Sequence, residues 1–440
     1  MNLLVTLVLG TTLTFCNIAL AELYAPVPRD PFVKDSYIVT FKPAEPGRAP
    51  VIMPPVTDPE KRRNQPTPKF GEHSSGQSKE QLAATLGIKG KVLSIFDANN
   101  AAHLQIDATQ ADKLRADPRV LNVEQDRVVV SAQTVQINPG WGLDRMDQPG
   151  TVLNQQYAFN ANGAGQIIYV LDSGLDLNNP TVAAEFGGRA SVIYDVNGQG
   201  GADCHGHGTR VASIAAGATY GLAKGATVIA AKINTGCTRG SVTSTSVMAF
   251  NWLANNANAP RGTIVNFSNG FQTEIRCQPV ISASLENSIR AAVNAGILVI
   301  VAAGNDGCNT ADFSPTRMPE AFVVGASDQS RFAFGQDARA SFSRFGTNVS
   351  TFAPGSAVGA MNFNGQFISD SGTSFSAPYI AGLFAAACQR FAPFCSDPVN
   401  TAATIYNEAR GLGALGNVVD PGGAPLPAGT PSRFISRQPW

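Results

Sequence analysis

The stretch Ile168-Tyr169-Val170-Leu171-Asp172-Ser173-Gly174 decides how this chain folds, because it reads as a buried strand that ends on a carboxylate. Its apolar residues follow one another without alternation, which is typical of a strand in a parallel sheet that is covered on both faces. Further apolar runs of this kind alternate downstream with helical patterns rich in Gly and Ala. This alternation predicts an α/β fold, a parallel sheet with helices on both faces.

Five strands and four helices are predicted in this region. The strands are expected at 166–171, 227–232, 263–267, 297–302 and 321–324, and the helices near 208–216, 242–255, 281–294 and 374–389. Gly, Pro and Ala dominate the tail from about residue 411, which predicts an extension that is either ordered on the surface or mobile.

The region upstream of residue 132 has a different texture and predicts a small domain of its own. Strands are expected at 36–42, 91–96, 102–106 and 127–130, with helices at 79–86 and 108–116 and a long Pro-rich loop from 43 to 78. The order β-α-β-β-α-β is that of a ferredoxin-like α+β unit.

Composition narrows the function and the location of the 440-residue chain. Its formal charge is zero and only 15% of its residues are charged, which argues against a nucleic-acid binder. The first residues form an apolar run that ends in Ala19-Leu20-Ala21, which predicts a secretory signal over 1–21. No later segment is long and apolar enough to cross a bilayer. We therefore expect a signal at 1–21, a small domain at 22–131 and the main domain at 132–440, with no membrane partner.

Seven cysteines are present, and Cys16 would leave with the signal. An even number of cysteines in a secreted chain favours disulfides over free thiols or a metal site. The remaining six can pair in fifteen ways, and these residues are Cys204, Cys237, Cys277, Cys308, Cys388 and Cys395.

Three motifs could carry chemistry together. Asp172 ends a strand, His207 in Gly206-His207-Gly208-Thr209 opens a helix, and Ser374 in Ser371-Gly372-Thr373-Ser374 opens another. A serine hydroxyl needs a base to become a nucleophile, and an imidazole with a pKa of about 6.5 suits that task. A buried carboxylate would fix the imidazole tautomer. These positions predict a nucleophile, base and orienting acid at one edge of the sheet.

Asn305, which follows the apolar run Val301-Ala302-Ala303-Gly304, is a candidate fourth member. Its amide could donate to the oxyanion of a tetrahedral intermediate beside the backbone N–H of Ser374. Each motif alone has a plainer reading, since Asp172 could be a strand-end carboxylate and Ser374 an ordinary helix cap.

A metal cluster is the alternative interpretation of Asp203, Cys204, His205 and His207. Two histidines two residues apart in a Gly-rich turn fit a tetrahedral zinc site poorly, so no metal ligand is predicted.

In this order along the chain, the four motifs resemble those of subtilisin-like serine peptidases, the subtilases, and in particular the proteinase K group. The resemblance covers Trp141 to about Arg390, and residues 36–131 resemble the inhibitor-type propeptide of that family. It implies that Asp172 orients, His207 acts as base and then acid, Ser374 attacks, and Asn305 holds the oxyanion. It also implies a secreted endopeptidase made as a zymogen, whose propeptide fills the cleft until self-cleavage near Val130–Ala132.

The resemblance also implies how substrate binds. Segments 238–241 and 267–270 match the two family strands that pair with an extended peptide, with Gly240, Ser268 and Gly270 as substrate-binding residues. Main-chain pairing of this kind tolerates many sequences, so broad specificity for protein and peptide substrates is expected, in a monomer.

The chain departs from the family pattern at several positions. Arg210 and Ser213 stand where His and Gly are frequent, and Ser350 stands where proteinase K-like members often carry a calcium-binding Asp. No cofactor and no calcium site are therefore predicted. Cys204 and Cys237 resemble a known disulfide pair, which leaves Cys277–Cys308 and Cys388–Cys395 as the remaining pairs by proximity.

Two functions other than a peptidase fit the sequence less well. A catalytically dead relative that binds peptides is disfavoured by the intact set Asp172, His207, Asn305 and Ser374. An esterase or lipase would carry a Gly-x-Ser-x-Gly elbow and the order Ser, Asp, His, and neither occurs here.

Overall fold

The structure is a computed structural model of the chain. It describes residues 32–43, 51–52, 77–96, 99–127, 134–148, 150–196, 198, 200–238, 240–256, 259–271, 273–391, 395–397, 400–412 and 418–436. The predicted signal at 1–21, nearly all of the 43–78 loop and the predicted cleavage segment 130–132 lie outside these residues. The chain divides into two compact units, one over 27–130 and one that contains 131–440.

The smaller unit is a four-stranded antiparallel sheet with two helices. Its elements are β1 Phe32–Phe41, α1 Lys79–Leu86, β2 Lys91–Phe96, β3 Ala101–Gln105, α2 Ala108–Arg115 and β4 Val120–Arg127. The strand order β2-β3-β1-β4 gives the ferredoxin-like arrangement that the sequence predicts.

Local chemistry sets the ends of α1. Ser78 accepts a hydrogen bond from the backbone N–H of Gln81, whose side chain in turn accepts from the N–H of Ser78. This capping box starts the helix, and Gly87 ends it in the left-handed conformation at φ 62°. Leu82 and Leu86 then face the core of the unit.

The last strand of this unit was predicted wrongly. It spans Val120–Arg127, not 127–130, and residues 128–130 lie outside the described part. Val120 and Val123 are the buried residues of the strand, while polar side chains such as Glu124 cover much of the rest. The polar side chains hid the strand, because the alternation of apolar residues that marks one is missing.

The larger unit is built on a nine-stranded sheet. Up to its central helices its elements are β5 Thr134–Ile137, α3 Trp141–Met146, β6 Gln156–Phe159, β7 Ile167–Asp172, α4 Pro180–Phe186, β8 Ala190–Asp195, α5 His207–Ala216, β9 Thr227–Lys232, α6 Thr243–Ala254, β10 Ile264–Phe267 and α7 Ala283–Asn294. They are followed by β11 Leu298–Ala302, β12 Phe322–Asp328, β13 Asp337–Arg339, β14 Val349–Pro354, β15 Val358–Met361, β16 Phe367–Asp370, α8 Thr373–Arg390, α9 Ala402–Leu412 and β17 Val418–Val419.

Strands β8, β9, β7, β10, β11 and β12 lie side by side and are parallel. β14 also pairs in parallel with β12, while β13 is antiparallel to β12. Strand β7 has β9 on one side and β10 on the other, so the chain reverses its direction across the sheet at β7. Ligands of open α/β sheets bind at such a point, beyond the carboxyl ends of the strands.

Alternate residues of β7 face two separate apolar layers. Ile168 and Val170 pack in the layer that contains α5 and α8, whereas Tyr169 and Leu171 pack in the layer that contains α6 and α7. The sheet is therefore covered on both faces, as the uninterrupted apolar runs predict.

The predicted strands and helices of this unit start and end within a few residues of those observed. Sequence patterns missed β8, β14, the hairpin β15–β16 and the helices α4 and α9. For the described residues of the tail, the ordered alternative is correct. Val418–Val419 pairs with β13, and Phe434 and Ile435 are 1% exposed.

The structure contains three disulfides, and they are the three expected pairs, Cys204–Cys237, Cys277–Cys308 and Cys388–Cys395. Within the described ranges, no helix has the length and hydropathy that a bilayer crossing requires.

Candidate active site

Asp172 and His207 form the centre of the site at the carboxyl end of β7. Asp172 is the last residue of that strand, and its carboxylate is 1% exposed. Its Oδ1 lies 2.8 Å from Nδ1 of His207, the first residue of α5. Oδ1 also accepts from the backbone N–H of Ser173 at 2.7 Å. The carboxylate therefore fixes one ring nitrogen and leaves Nε2 as the ring atom for proton transfer.

A second buried carboxylate, Asp203, holds the turn that presents His207. Its Oδ1 accepts from the hydroxyl of Ser173 and from the backbone N–H groups of His205 and Gly206, at 2.8–3.0 Å. Its Oδ2 accepts from both the backbone N–H and the hydroxyl of Thr209. Asp203 thus ties the end of β7 to the first turn of α5. Sequence reasoning missed this role, although a carboxylate just before a helix start is a recognisable signal.

Backbone packing at the same turn allows only glycine at two positions. Gly206 has φ 93°, and a Cβ there would lie 2.6 Å from Oδ1 of Asn362. A Cβ on Gly208 would lie 2.3 Å from the carbonyl oxygen of Gly174. The approach at Gly208 lets α5 begin directly against the segment that follows β7, and the approach at Gly206 lets Asn362 lie over the turn.

Ser374 is the second residue of α8 and lies half-buried at the same edge of the sheet. Its hydroxyl donates to the carbonyl oxygen of Ser268 at 3.2 Å. The ring of the next residue, Phe375, packs 5.7 Å from that of His207. The start of α8 and the start of α5 are therefore neighbours, as the sequence motifs predict.

Asn305 follows β11 and is anchored to the segment that carries Ser374. Its Oδ1 accepts from the backbone N–H and from the hydroxyl of Thr373, each at 2.8 Å. With its oxygen bonded to Thr373, Asn305 has its amide nitrogen as the hydrogen-bond donor for a ligand. This nitrogen lies 3.3 Å from where a Cβ on Gly372 would stand, beside the start of α8. An amide donor and a helix N-terminus together favour developing negative charge.

Several charges act on the pKa of His207. Burial lowers it, but the charge of Asp172 and its hydrogen bond raise it, and Asp203 adds to the increase. Arg210 on the same helix lowers it. The net effect is a pKa above the ordinary 6.5, because the carboxylates outweigh burial and the arginine.

The two segments expected to bind substrate also meet here. Ser268 directly follows β10, and Asn269 donates to the carbonyl oxygen of Leu171 at 3.0 Å and accepts from the hydroxyl of Ser241 at 3.4 Å. Gly240 and Gly270 are both exposed, and a small cleft lined in part by Ser241, Asn269 and Gly270 lies between the segments. Their backbone is thus accessible to an extended peptide.

Two of the candidate metal ligands near the His205–His207 turn, Cys204 and Asp203, already have other partners. Cys204 is in a disulfide, and both oxygens of Asp203 accept hydrogen bonds from the turn itself. Among the described residues, no group of three or more His, Cys, Asp or Glu side chains is placed to hold an ion. Ser350 stands where related enzymes often carry a calcium-binding Asp, and here two arginines bind it. The guanidinium of Arg410 donates to its hydroxyl, and that of Arg433 donates to its carbonyl oxygen.

Comparison with known proteins points in the same direction as this geometry. Residues 163–423 match the model of the subtilase family. The chain is 33% identical over 332 residues to an extracellular serine proteinase of Thermus sp. (strain Rt41A), covering 74% of this chain and 76% of that protein. It is also 33% identical over 366 residues to alkaline serine exoprotease A of Vibrio alginolyticus, which covers 81% of this chain but only 61% of that protein.

A solved structure supports the fold assignment. A cold-adapted subtilisin-like serine proteinase aligns with a TM-score of 0.58 and 30% identity, over 68% of this chain and 98% of the other. The larger unit described above accounts for an alignment of this extent, because it holds about the same share of the chain.

Proposed function

The chain belongs to the subtilase family of serine proteases, and from that premise we propose that it is a secreted endopeptidase with broad specificity. Asp172, His207 and Ser374 form its catalytic triad. The observation that carries the proposal is the 2.8 Å contact between Asp172 and Nδ1 of His207, next to the helix whose second residue is Ser374. Those are the elements that acyl transfer by a serine requires.

In the proposed mechanism the substrate pairs with the backbone near Gly240, Ser268 and Gly270. Nε2 of His207 takes the proton of Ser374 as the hydroxyl attacks the peptide carbonyl. The imidazolium that forms is stabilised by Asp172 and then protonates the leaving amine. Asn305 and the backbone N–H of Ser374 donate to the oxyanion.

The hydroxyl of Ser374 must rotate for this step, since it donates to the carbonyl of Ser268 in this structure. The side chain of a serine has one such torsion, χ1, with three staggered positions. A peptide bound along the Ser268 segment would compete with the hydroxyl of Ser374 for the surroundings of the Ser268 carbonyl oxygen.

The smaller unit is proposed to be an inhibitory propeptide, so the enzyme would be made as a zymogen and act as a monomer. Support comes from its ferredoxin-like topology and from its position before the peptidase unit. Self-cleavage near Val130–Ala132 would release a mature enzyme that begins close to Ala132. Extracellular location is supported by three disulfides and by the name of the Thermus relative.

The test compares the full chain with Ser374→Ala and, as a matched control, Ser371→Ala three residues away. Activity is measured on casein and on an internally quenched peptide blocked at both ends, which only an endopeptidase can cut. Processing is followed by intact mass and N-terminal sequencing. We expect cleavage and a mature N-terminus near Ala132 for the wild type and the control, and neither for Ser374→Ala.

The outcomes separate the parts of the proposal. Equal processing of wild type and Ser374→Ala, with neither cleaving casein, would refute the peptidase assignment. Activity on casein without activity on the blocked peptide would indicate an exopeptidase. An active wild type whose Ser374→Ala form is still processed would remove self-cleavage alone.

A further inference from the structure

Arg210 connects the segments that carry His207 and Ser374. It lies one turn into α5, and its side chain is 14% exposed. Its Nε donates to the carbonyl oxygen of Gly206, the residue before His207, at 2.9 Å. Its Nη1 forms an ion pair with Oδ2 of Asp370, the last residue of β16.

Asp370 passes this connection on to the serine loop. Its second oxygen, Oδ1, accepts from the backbone N–H of Ser371 at 2.8 Å. Ser371 is three residues before Ser374. An unbroken path of hydrogen bonds therefore runs from the residue preceding His207, through Arg210 and Asp370, to the loop that leads into α8.

The hairpin β15–β16 is seated on α5 by two further contacts. The hydroxyl of Ser213 accepts from the backbone N–H of Met361 at 3.0 Å. At the tip of the hairpin, Asn362 and Phe363 close over Gly206, so that a Cβ there would collide with both. The guanidinium of Arg210 also lies 5.8 Å from the ring centre of Phe375, whose ring contacts His207.

We propose that Arg210 is a positioning residue that, through Asp370, sets the placement of Ser374 relative to His207. The inference rests on the proposed function, because it assigns Arg210 to the geometry of that triad. In this partly buried ion pair the cost of desolvation offsets much of the attraction, so its net contribution to stability is small, whereas a bridge between two reacting segments acts on the rate. Misplacement of reacting groups by about 1 Å can cost about a hundredfold in rate.

The charge of Arg210 adds an effect that a purely structural residue would not have. Four other charged or titratable groups surround His207: Asp172 from β7, Asp203 and His205 from the turn before α5, and Asp370 behind Arg210. After burial and Asp172, Arg210 is the next influence on the pKa of His207, and it lowers that pKa. Removal of its charge should raise the pKa, and removal of the charge of Asp370 should lower it.

The experiment measures kcat and KM from pH 5 to 9 on the blocked internally quenched peptide. The variants are Arg210→Gln, Arg210→Lys and Asp370→Asn, and Arg290→Gln removes a comparable but remote ion pair with Glu320 as the matched control. We expect kcat at the plateau to fall by about ten- to a hundredfold in Arg210→Gln and Asp370→Asn, with KM within about threefold. The midpoint of the acid limb of kcat/KM should move upward for Arg210→Gln, because the charge that lowers the pKa of His207 is lost, and downward for Asp370→Asn, because Arg210 is then no longer neutralised.

Arg210→Lys keeps the charge but loses the planar fork that holds Gly206 and Asp370 together. We expect its acid limb to stay near that of the wild type while kcat stays reduced. If Arg210→Gln and Asp370→Asn both fold and show an unchanged kcat and an unchanged acid limb of kcat/KM, the inference is overturned. If Arg210→Gln does not fold, Asp370→Asn and Arg210→Lys decide by the same criteria. An inactive wild type would instead refute the proposed function.

Discussion

Ser268 and Ser374 exchange two hydrogen bonds across the edge of the sheet. The hydroxyl of Ser374 donates to the carbonyl oxygen of Ser268 at 3.2 Å, and the hydroxyl of Ser268 donates to the carbonyl oxygen of Ser374 at 3.0 Å. The proposed nucleophile is thereby fastened to the segment proposed to bind substrate. This arrangement links the segment after β10 directly to the first turn of α8.

Ser268→Ala should lower the free energy of unfolding by about 1–3 kcal/mol, because it leaves the buried amide of Asn266 without its 2.9 Å partner. The backbone carbonyl that holds Ser374 is retained, so kcat should stay within about tenfold of the wild type. Urea unfolding in the Ser374→Ala background avoids self-digestion, with Ser284→Ala on the exposed side of α7 as control. Equal midpoints for Ser268→Ala and the control would contradict the expectation.

Asn305→Ala should lower kcat by about 10²–10³-fold with little change in KM, as loss of an oxyanion donor does; the figure comes from subtilisin, a member of this family. The reason is that the amide acts on charge that develops only in the transition state. Steady-state kinetics on the blocked peptide measure the effect. Thr373→Val controls for loss of the hydroxyl bond to Asn305, since it keeps the backbone bond and the Asn305 amide. A large increase in KM with normal kcat would place Asn305 in substrate binding instead.

The rate should fall in acid with a midpoint above pH 6.5. His207 must be neutral to take a proton, and the charge of Asp172 outweighs burial to raise its pKa above 6.5. Protonation of the base therefore begins at a higher pH than for a free imidazole. In Asp172→Asn, burial should prevail, so that the midpoint moves below 6.5 and kcat falls by about 10⁴-fold. The pH profile of kcat/KM measures both, and a wild-type midpoint below 6.5 would contradict this account.

The disulfide near His207 should stabilise the enzyme more than the one near the end of α8. Cys204–Cys237 closes a separation of 33 residues and Cys388–Cys395 one of 7. In the chain-entropy model these loops correspond to about 4 and about 2 kcal/mol. Paired Cys→Ser variants, unfolded in urea, should rank in that order. Because Cys204 adjoins Asp203, loss of the first pair should also lower kcat, whereas loss of the second should not.

Patterns in the sequence predicted the elements that are buried on both faces. Short β-branched runs such as Ile168–Leu171 favour strands of a covered sheet, and the Gly-containing segments before α5 and α8 indicate where the helices begin. The short strands β8 and β14 escaped because each is held by pairing with a strand elsewhere in the chain, β9 and β12 respectively. β14, for example, is a strand only beside β12. The hairpin β15–β16 was also missed, although its two strands pair with each other.

The candidate site shows the same division. The placement of Asp172, His207, Asn305 and Ser374 at one edge of the sheet could be predicted, since each lies near the carboxyl end of a strand or the start of a helix. Asp203 and the pair Arg210–Asp370 could not, because their roles arise from hydrogen bonds between segments up to 160 residues apart. The replacement of a frequent histidine by Arg210 is visible in the sequence, but its partner is visible only in the fold.

The guanidinium of Arg145 has consequences for when the peptidase unit can mature. It is 3% exposed, paired with Asp337 and stacked 3.9 Å from the ring of Phe434. A ribosome makes Arg145 early and Phe434 almost three hundred residues later. Until Phe434 has been synthesised, the guanidinium of Arg145 is not fully enclosed, and a buried charge without its partners is costly. Completion of this part of the fold therefore waits until Phe434 has been made, which delays the appearance of a proteolytic activity that could attack the unfinished chain.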